Sequence, residues 1–439
     1  MKVLMFGWEY PPHISGGLGT ACFGLTKSLT KKGVSIDFVV PRLYGDEFQS
    51  GANVRSASGV LDMFTQAELF SFEKDFSIMA IDSSLLPYES EADYKERMKA
   101  RKNFVGGRNN FFFHPSADTK RDVNESYRTI DLHGGYGGNL FEEVARYALV
   151  AGSIAKQGGF DIIHAHDWLC YKAGEVAKKI SGKPLIVHVH ATEFDRSGEN
   201  INHRVYEMER SGMEAADLIV CVSEYTRDTV IHKYAQPSQK VVCVYNGVET
   251  QNQNYMHIHN SFGKKMVGFI GRVTYQKGPD YFIEAAAKVL EKDKDFLFVM
   301  AGEGDMLDAM VALAAKKRIS ENFFFTGFLQ GEELKRLLQM CDAYVMPSVS
   351  EPFGIAPLEA MGMGVPTIIS RQSGVSEILK NVIKVDFWDI DAMADAIYSI
   401  GKRKTLSEML SRQGKAEAET ITWDKAADKL KKIYSEMIH

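Results

Sequence analysis

The sequence predicts an α/β protein built from two doubly wound domains that face each other across a cleft. Three observations predict it. Short apolar strands alternate with helical patterns along most of the chain, the mark of βαβ units and parallel sheets. The alternation stops at residues 250–262, a polar, Asn/Gln-rich and aperiodic stretch, and then restarts. The chain has 439 residues, room for two domains of ordinary size. Taking the break as an interdomain linker gives a first domain over 1–250, a second over 251–420 and a terminal helix over 421–439.

The elements follow in order. Residues 2–7 read as a buried first strand, 18–32 as a helix and 35–40 as the next strand. Residues 44–135 break the rhythm. Phe111, Phe112 and Phe113, with glycines at 106, 107, 134, 135, 137 and 138, predict hairpins and loops there. Strands return at 161–164, 185–190, 218–222 and 241–245, with a helix near 172–180. The second half gives strands at 266–271, 296–302, 322–327, 343–347, 367–370 and 383–385. Its helices fall at about 279–291, 306–317, 332–340 and 357–363, and the last helix at 423–437. Two such sheets joined by one linker leave a cleft between their strand ends.

Composition narrows the function. Apolar residues make up 45% and charged residues 25%, as in soluble globular proteins. A net charge of −5 excludes a global basic field for nucleic acid or anionic lipid. No stretch approaches the ~18 apolar residues of a membrane span. The apolar start runs directly into Pro11 and Pro12, which suits a strand and not a signal peptide. Cys22, Cys170, Cys221, Cys243 and Cys341 are scattered and odd in number. They read as free core thiols in a reducing, cytoplasmic compartment.

Two motifs carry the chemistry. In the first, Glu351 and Glu359 flank a Pro352-Phe353-Gly354 turn, after an apolar strand and before a helix. That puts Glu351 at the carboxyl end of a strand, where open α/β sheets bind ligands. Backbone N–H groups around Gly354 and Ile355 would point at an anion there. In the second, a buried strand ends in Gly271-Arg272, and Lys277-Gly278 follows after four residues. The guanidinium forks two oxygens and the ammonium adds a point charge, which together make a phosphate clamp. A helix with an acidic first turn and a solvated basic turn are the plainer readings.

Gly-Arg-x4-Lys-Gly followed by Glu-x7-Glu resembles the retaining glycosyltransferases of the GT-B fold, which has two Rossmann-like domains. The nearest groups are the glycogen and starch synthases and glycosyltransferase family four. The resemblance spans almost the whole chain. It implies that Arg272 and Lys277 stabilise the diphosphate leaving group, that Glu351 binds the transferred sugar and that Glu359 binds the ribose. It implies that Asp167 borders the acceptor and donor sugar, and that His190 hydrogen-bonds the transferred sugar. The region 44–135 would help to shape the acceptor side. Gly16 and Gly17 lie in a glycine-rich strand-to-helix loop that lets a phosphate or sugar approach the backbone. A dinucleotide fingerprint would need a tighter turn without Pro11 and Pro12. Glycogen synthases have Lys-x-Gly-Gly-Leu here, and this chain has no lysine, a form closer to family four.

Asn246-Gly247-Val248, Gly302-Glu303-Gly304-Asp305 and Gly327-Phe328-Leu329 resemble further site segments, with an ordinary turn as the equal reading for each. His164, His166, His188 and His190 end two strands. A strand histidine is more often a satisfied core residue than a metal ligand. No metal and no organic cofactor are therefore expected. The expected function is transfer of a hexose, glucose first, from a UDP- or ADP-sugar to an α-1,4-glucan. The alternatives are a family-four transferase making a glycolipid, capsule or small glycoside, and a sugar-nucleotide epimerase. The expected partners are the nucleotide-sugar donor and a glycan acceptor, without nucleic acid or a membrane span.

Overall fold

The computed structural model describes residues 1–13, 16–61, 129–130, 132–134, 136–137, 139–249, 257–258 and 260–438. Most of the predicted linker, Phe111, Phe112, Phe113 and the glycines at 106, 107, 135 and 138 lie outside them.

The first sheet has seven strands. They are β1 (Lys2–Phe6), β2 (Ser35–Val40), β3 (Asn53–Ser56), β6 (Ile162–His166), β7 (Leu185–Val189), β8 (Leu218–Cys221) and β9 (Val241–Cys243). Their order is β3-β2-β1-β6-β7-β8-β9, and every pair is parallel. Between β3 and β6 in sequence, β4 (Val60–Leu61) and β5 (Thr129–Ile130) form a separate antiparallel pair. The second sheet comprises β10 (Lys265–Ile270), β11 (Phe296–Ala301), β12 (Phe323–Gly327), β13 (Ala343–Met346), β14 (Thr367–Ser370) and β15 (Ile383–Val385). Its order is β12-β11-β10-β13-β14-β15, again parallel throughout.

Both sheets are covered on two faces, so their strands are apolar on both sides. Within β1, Leu4 and Phe6 point into one core with Tyr147 and Trp168. Val3 and Met5, one residue out of phase, enter the opposite core with Leu25 and Phe38. The last helix, Trp423–Ile438, contributes Trp423, Leu430 and Tyr434 to that second core of the first domain. A Cβ on Gly24 would sit 2.3 Å from the Trp423 ring, so the close approach of the two helices requires glycine.

The structure corrects several sequence expectations. Residues 53–56, expected in hairpins or loops, form the edge strand β3, parallel to β2 in the main sheet. The helix expected near 172 begins at Trp168, and the one expected at 357 begins at Ile355. Leu140–Gln157 is a helix that the sequence pattern did not reveal, because it is buried nearly all round and lacks a clean polar face.

In each sheet the strand order reverses direction beside the first strand of the domain. The reversal falls between β1 and β6 in one and between β10 and β13 in the other. Doubly wound sheets bind ligands at that switch point, outside the carboxyl ends of the strands. The Gly16–Gly17 loop follows β1 and Asp167 follows β6. Arg272 follows β10 and Glu351 follows β13.

Candidate active site

On the first domain, Asp167 caps the helix Trp168–Ser181 with φ 59°, a region that residues other than glycine rarely occupy. Two contacts brace it there. Its Oδ1 accepts the N–H of His190 at 2.7 Å and of Ala191 at 3.3 Å. Burial raises its carboxyl to about pKa 6, against the opposing pull of Arg196 and those two N–H groups. Backbone strain of this kind collects at working sites.

His190 stands just past the end of β7. Its Nε2 lies 3.0 Å from His166 Nδ1, while His164 Nε2 lies 3.2 Å from His188 Nδ1. The four rings form two stacks, His164 on His166 and His188 on His190, each with centroids 4.3 Å apart. Tyr434 of the last helix closes the far end, its hydroxyl 2.6 Å from His164 Nδ1. Burial lowers all four imidazoles, His164 and His190 to about pKa 3, so the array is neutral. Among the described residues, two sets of ligand-capable atoms come within 4.8 Å of one another, Cys22-His166-His190 and His164-His166-His188. The second set has no anionic member, and a dication there would carry uncompensated buried charge. Their facing nitrogens lie at hydrogen-bond distance, so the histidines pair across the two strands.

Gly16 precedes the helix Gly17–Lys31 in extended conformation, and a Cβ at Gly16 or Gly17 would meet nothing within 4 Å. The space over that helix start is open.

On the second domain, Lys277 Nζ donates to Glu351 Oε2, and Ser348 Oγ donates to the same oxygen at 3.2 Å. The two groups that the sequence assigned to separate tasks are therefore partners. Arg272 Nη2 donates to Gln276 Oε1 at 3.1 Å. Gln276 is buried, and its carbonyl accepts the N–H of Val349 at 2.9 Å. It ties the basic turn to the loop carrying Glu351. The sequence reading passed over Gln276; its place between the two cations was the available signal.

Gly354 takes φ 104° and starts the helix Ile355–Gly362. Glu359 lies on the second turn, half-buried, with its carboxyl raised by desolvation. Gly302 and Gly304 pack against the Arg272 turn. Cβ atoms there would fall 1.8 Å from Gly271 O and 2.3 Å from Val273 O, so only glycine allows the approach. Gly327 ends β12, and its carbonyl accepts the Gly302 N–H at 2.8 Å. Gly247 packs on the Thr422 backbone, where a Cβ would lie 2.3 Å from Thr422 C. It serves the crossing of the last helix.

The two lips touch beside Glu351. Ser350 Oγ donates to Asp195 Oδ1 at 2.5 Å, and Tyr225 OH lies 3.0 Å from Ser350 Oγ. Asp195 closes a capping box with Thr192, two residues beyond His190. Ser223 Oγ donates to Pro352 O at 2.5 Å. Glu377 of the second domain accepts the first N–H groups of the helix Glu224–Lys233, from Glu224 at 3.0 Å and Tyr225 at 2.6 Å. The sequence reading missed Asp195, Ser223 and Glu377, because polar contacts across a cleft leave no local pattern.

Two doubly wound halves with their switch points facing one cleft define the architecture of a GT-B protein. The family described as glycosyl transferases group 1 matches residues 252–417, and the family described as glycosyltransferase family 4 matches residues 111–252. An uncharacterized glycosyltransferase of Methanocaldococcus jannaschii is 26% identical over 99% of this chain and 98% of its own length. The glycogen synthase of Mycobacterium tuberculosis is 25% identical over 87% of this chain and 80% of its own length. A solved Anabaena structure in complex with UDP and glucose superposes with a TM-score of 0.66 at 15% identity, covering 99% of each chain. The chain is a glycosyltransferase with the GT-B fold. Among the described residues no helix is long and apolar enough to cross a membrane.

Proposed function

We propose that this glycosyltransferase moves a hexose, glucose first, from a nucleoside-diphosphate sugar to an α-1,4-glucan with retention of configuration. The observation that carries the reading is the Lys277–Glu351 pair at the second switch point, held against the first domain by Ser350 and Asp195. When the glycosidic bond breaks, charge gathers on the β-phosphate. Arg272 and Lys277 stabilise that charge without a metal ion. Release of Glu351 from Lys277, as phosphate takes the ammonium, leaves the carboxylate to hold sugar hydroxyls beside an oxocarbenium-like centre. His190 and Asp167 approach the same sugar from the first domain. Glu359 takes the ribose hydroxyls, and Gly16, Gly17, Gly354, Ile355 and Gly327 line the approach of the donor. A same-face displacement follows, with the departing phosphate accepting the acceptor's proton. The neutral imidazoles around His190 offer no strong base to activate water as a competing nucleophile.

The test is transfer from UDP-glucose and ADP-glucose to maltooligosaccharide after exhaustive chelation. An α-linked product by NMR, at full rate without divalent ions, is expected. A β-linked product, or a strict magnesium requirement restored on addition, refutes the corresponding part of the reading.

A further inference from the structure

One helix end joins the two domains. The helix Glu224–Lys233 belongs to the first domain, and the first N–H groups of any helix lack partners within it. Its own cap satisfies one of them, Ser223 Oγ accepting the Thr226 N–H at 3.0 Å. The two N–H groups ahead of that one are satisfied from the second domain. Glu377 Oε1 accepts from Tyr225 and Oε2 from Glu224, and Oε2 also accepts the hydroxyl of Tyr245 at 3.0 Å. A single second-domain carboxylate thus takes three first-domain donors.

Glu377 is also built onto the loop that carries Glu351. Residues 372–375 run beside residues 351–353. The Glu351 N–H donates to Gln372 O at 2.9 Å, the Gly374 N–H to Glu351 O at 2.9 Å and the Val375 N–H to Phe353 O at 2.8 Å. Glu377 closes the short helical turn Gly374–Glu377 that continues this segment. A Cβ on Gly374 would fall 2.2 Å from Pro352 O and 2.4 Å from Ser223 Cβ, so loop, turn and first-domain cap meet at one point. Ser223 fixes that point by donating to Pro352 O at 2.5 Å.

We infer that Glu377 is a positioning residue for the transfer: it docks the helix Glu224–Lys233 and so couples closure of the cleft to the placement of Glu351. The inference rests on the proposed role of Glu351 at the sugar and adds what holds that loop against the first domain. The sign of the charge suits the task, since a carboxylate is favoured at the positive end of a helix. The exposure suits it too. Glu377 is exposed, so the carboxylate and its donors are hydrated when the domains part, and the contact forms and breaks at small net cost. Polar contacts between domains of one chain are of the kind that open and close. Opening would leave Lys277 and Glu351 together on the second domain, but would part Ser350, beside Glu351, from Asp195 on the first. Diphosphate binding should therefore survive the loss of Glu377, and turnover should not.

Three measurements on the full chain test this, with wild type, Glu377→Ala and Glu377→Gln: small-angle X-ray scattering at saturating UDP, calorimetry with UDP, and kinetics with UDP-glucose and maltooligosaccharide. Glu377 is exposed, so both variants should fold and melt as wild type does. Glu377→Ala should lose about tenfold in kcat, bind UDP unchanged and show a larger radius of gyration than wild type. Glu377→Gln keeps one acceptor oxygen for the helix end and should fall between the two. The inference is overturned if Glu377→Ala is as compact as wild type, if its kcat is that of wild type, or if kcat and UDP affinity fall together, which would put Glu377 in the donor site. A chain that transfers nothing from UDP-glucose refutes the donor or acceptor reading instead, and the scattering comparison still decides the docking. Normal turnover in Glu351→Gln refutes the role of Glu351 and leaves the docking to the same comparison.

Discussion

The two lips of the cleft hold charge in opposite ways. On the second domain Lys277 and Glu351 form a salt bridge that Ser348 joins, and Arg272 is steered by Gln276 a turn away. On the first, four imidazoles are held neutral by burial and Asp167 is pushed up to about pKa 6. Fixed charge on one side and suppressed charge on the other suit a reaction whose negative charge develops on one partner only. In the proposed reaction the diphosphate leaves toward the cations. In that proposal the sugar, briefly positive in character, meets neutral ring nitrogens and the Asp167 carboxylate, whose pKa of about 6 leaves it largely ionised at neutral pH. If both lips carried fixed cations, the transition state would be repelled from one of them.

The largest expected effect lies on the charged lip. Lys277→Ala should lower kcat/KM by about 10²–10³ and weaken UDP binding together, since the charge meets the diphosphate in both states. Glu351→Gln should lower kcat by about 10² while UDP affinity stays nearly intact, because its proposed task is the sugar. Steady-state kinetics with calorimetry on both variants separates the roles. A folded Lys277→Ala that turns over normally would remove the lysine from the leaving-group site. Loss of UDP affinity in Glu351→Gln would mean that the pair, and not the lysine alone, builds the phosphate pocket.

The neutral lip should show itself in stability against pH. His164 has a folded pKa near 3, below the ordinary value of 6.5, through burial first and His190 second. Between those values the unfolded chain binds more protons, so stability falls as pH drops from about 6.5 toward 3. At pH 5 the loss from His164 is on the order of 2 kcal/mol, from 1.36 kcal/mol per unit of pH. Asp167 acts in the reverse sense. Its raised pKa makes the folded chain bind more protons between about 3.8 and 6, so stability rises there as pH falls. Asp195, Glu209 and Glu359, also raised by burial, act in the same sense as Asp167, so the imidazole contribution is read from the difference between two proteins. Denaturant unfolding at pH 7.5 and pH 5 should show a larger acid loss, or a smaller acid gain, in wild type than in His164→Gln. Equal losses in both would mean that the array is protonated in the folded protein.

The sequence made the fold legible because parallel strands buried on two faces are apolar runs, and the restart of the pattern after 250–262 divides the chain. It put Arg272 two residues past β10, and Lys277 and Glu351 on the segments that leave β10 and β13, where the structure also has them. It did not reveal that Lys277 would bond Glu351, since their 74-residue separation is closed by sheet order and not by spacing. Strand β3 escaped notice because Asn53 and Arg55 interrupt its apolar pattern at the sheet edge. The histidine array was half visible. Alternation placed His188 and His190 on one face, but only the β6–β7 pairing brings them against His164 and His166.

The smallest effect sharpens the comparison most, because it asks whether a suppressed charge on the charged lip works as one. Glu359 lies on the second turn behind Gly354, and desolvation raises its carboxyl. Such a group is best satisfied by two donors from a ligand, and vicinal ribose hydroxyls supply two. Glu359→Gln keeps shape but replaces one acceptor oxygen by a donor. It should weaken UDP binding by about 1–2 kcal/mol, roughly 5- to 30-fold, with kcat at saturating donor close to wild type. A nucleoside diphosphate lacking the ribose 2′-hydroxyl should lose most of its own disadvantage in the variant, since the partner it fails to meet is already impaired. If Glu359→Gln instead lost turnover at saturating donor with UDP affinity intact, Glu359 would be working on the sugar, and the division of labour between the two glutamates would be reversed.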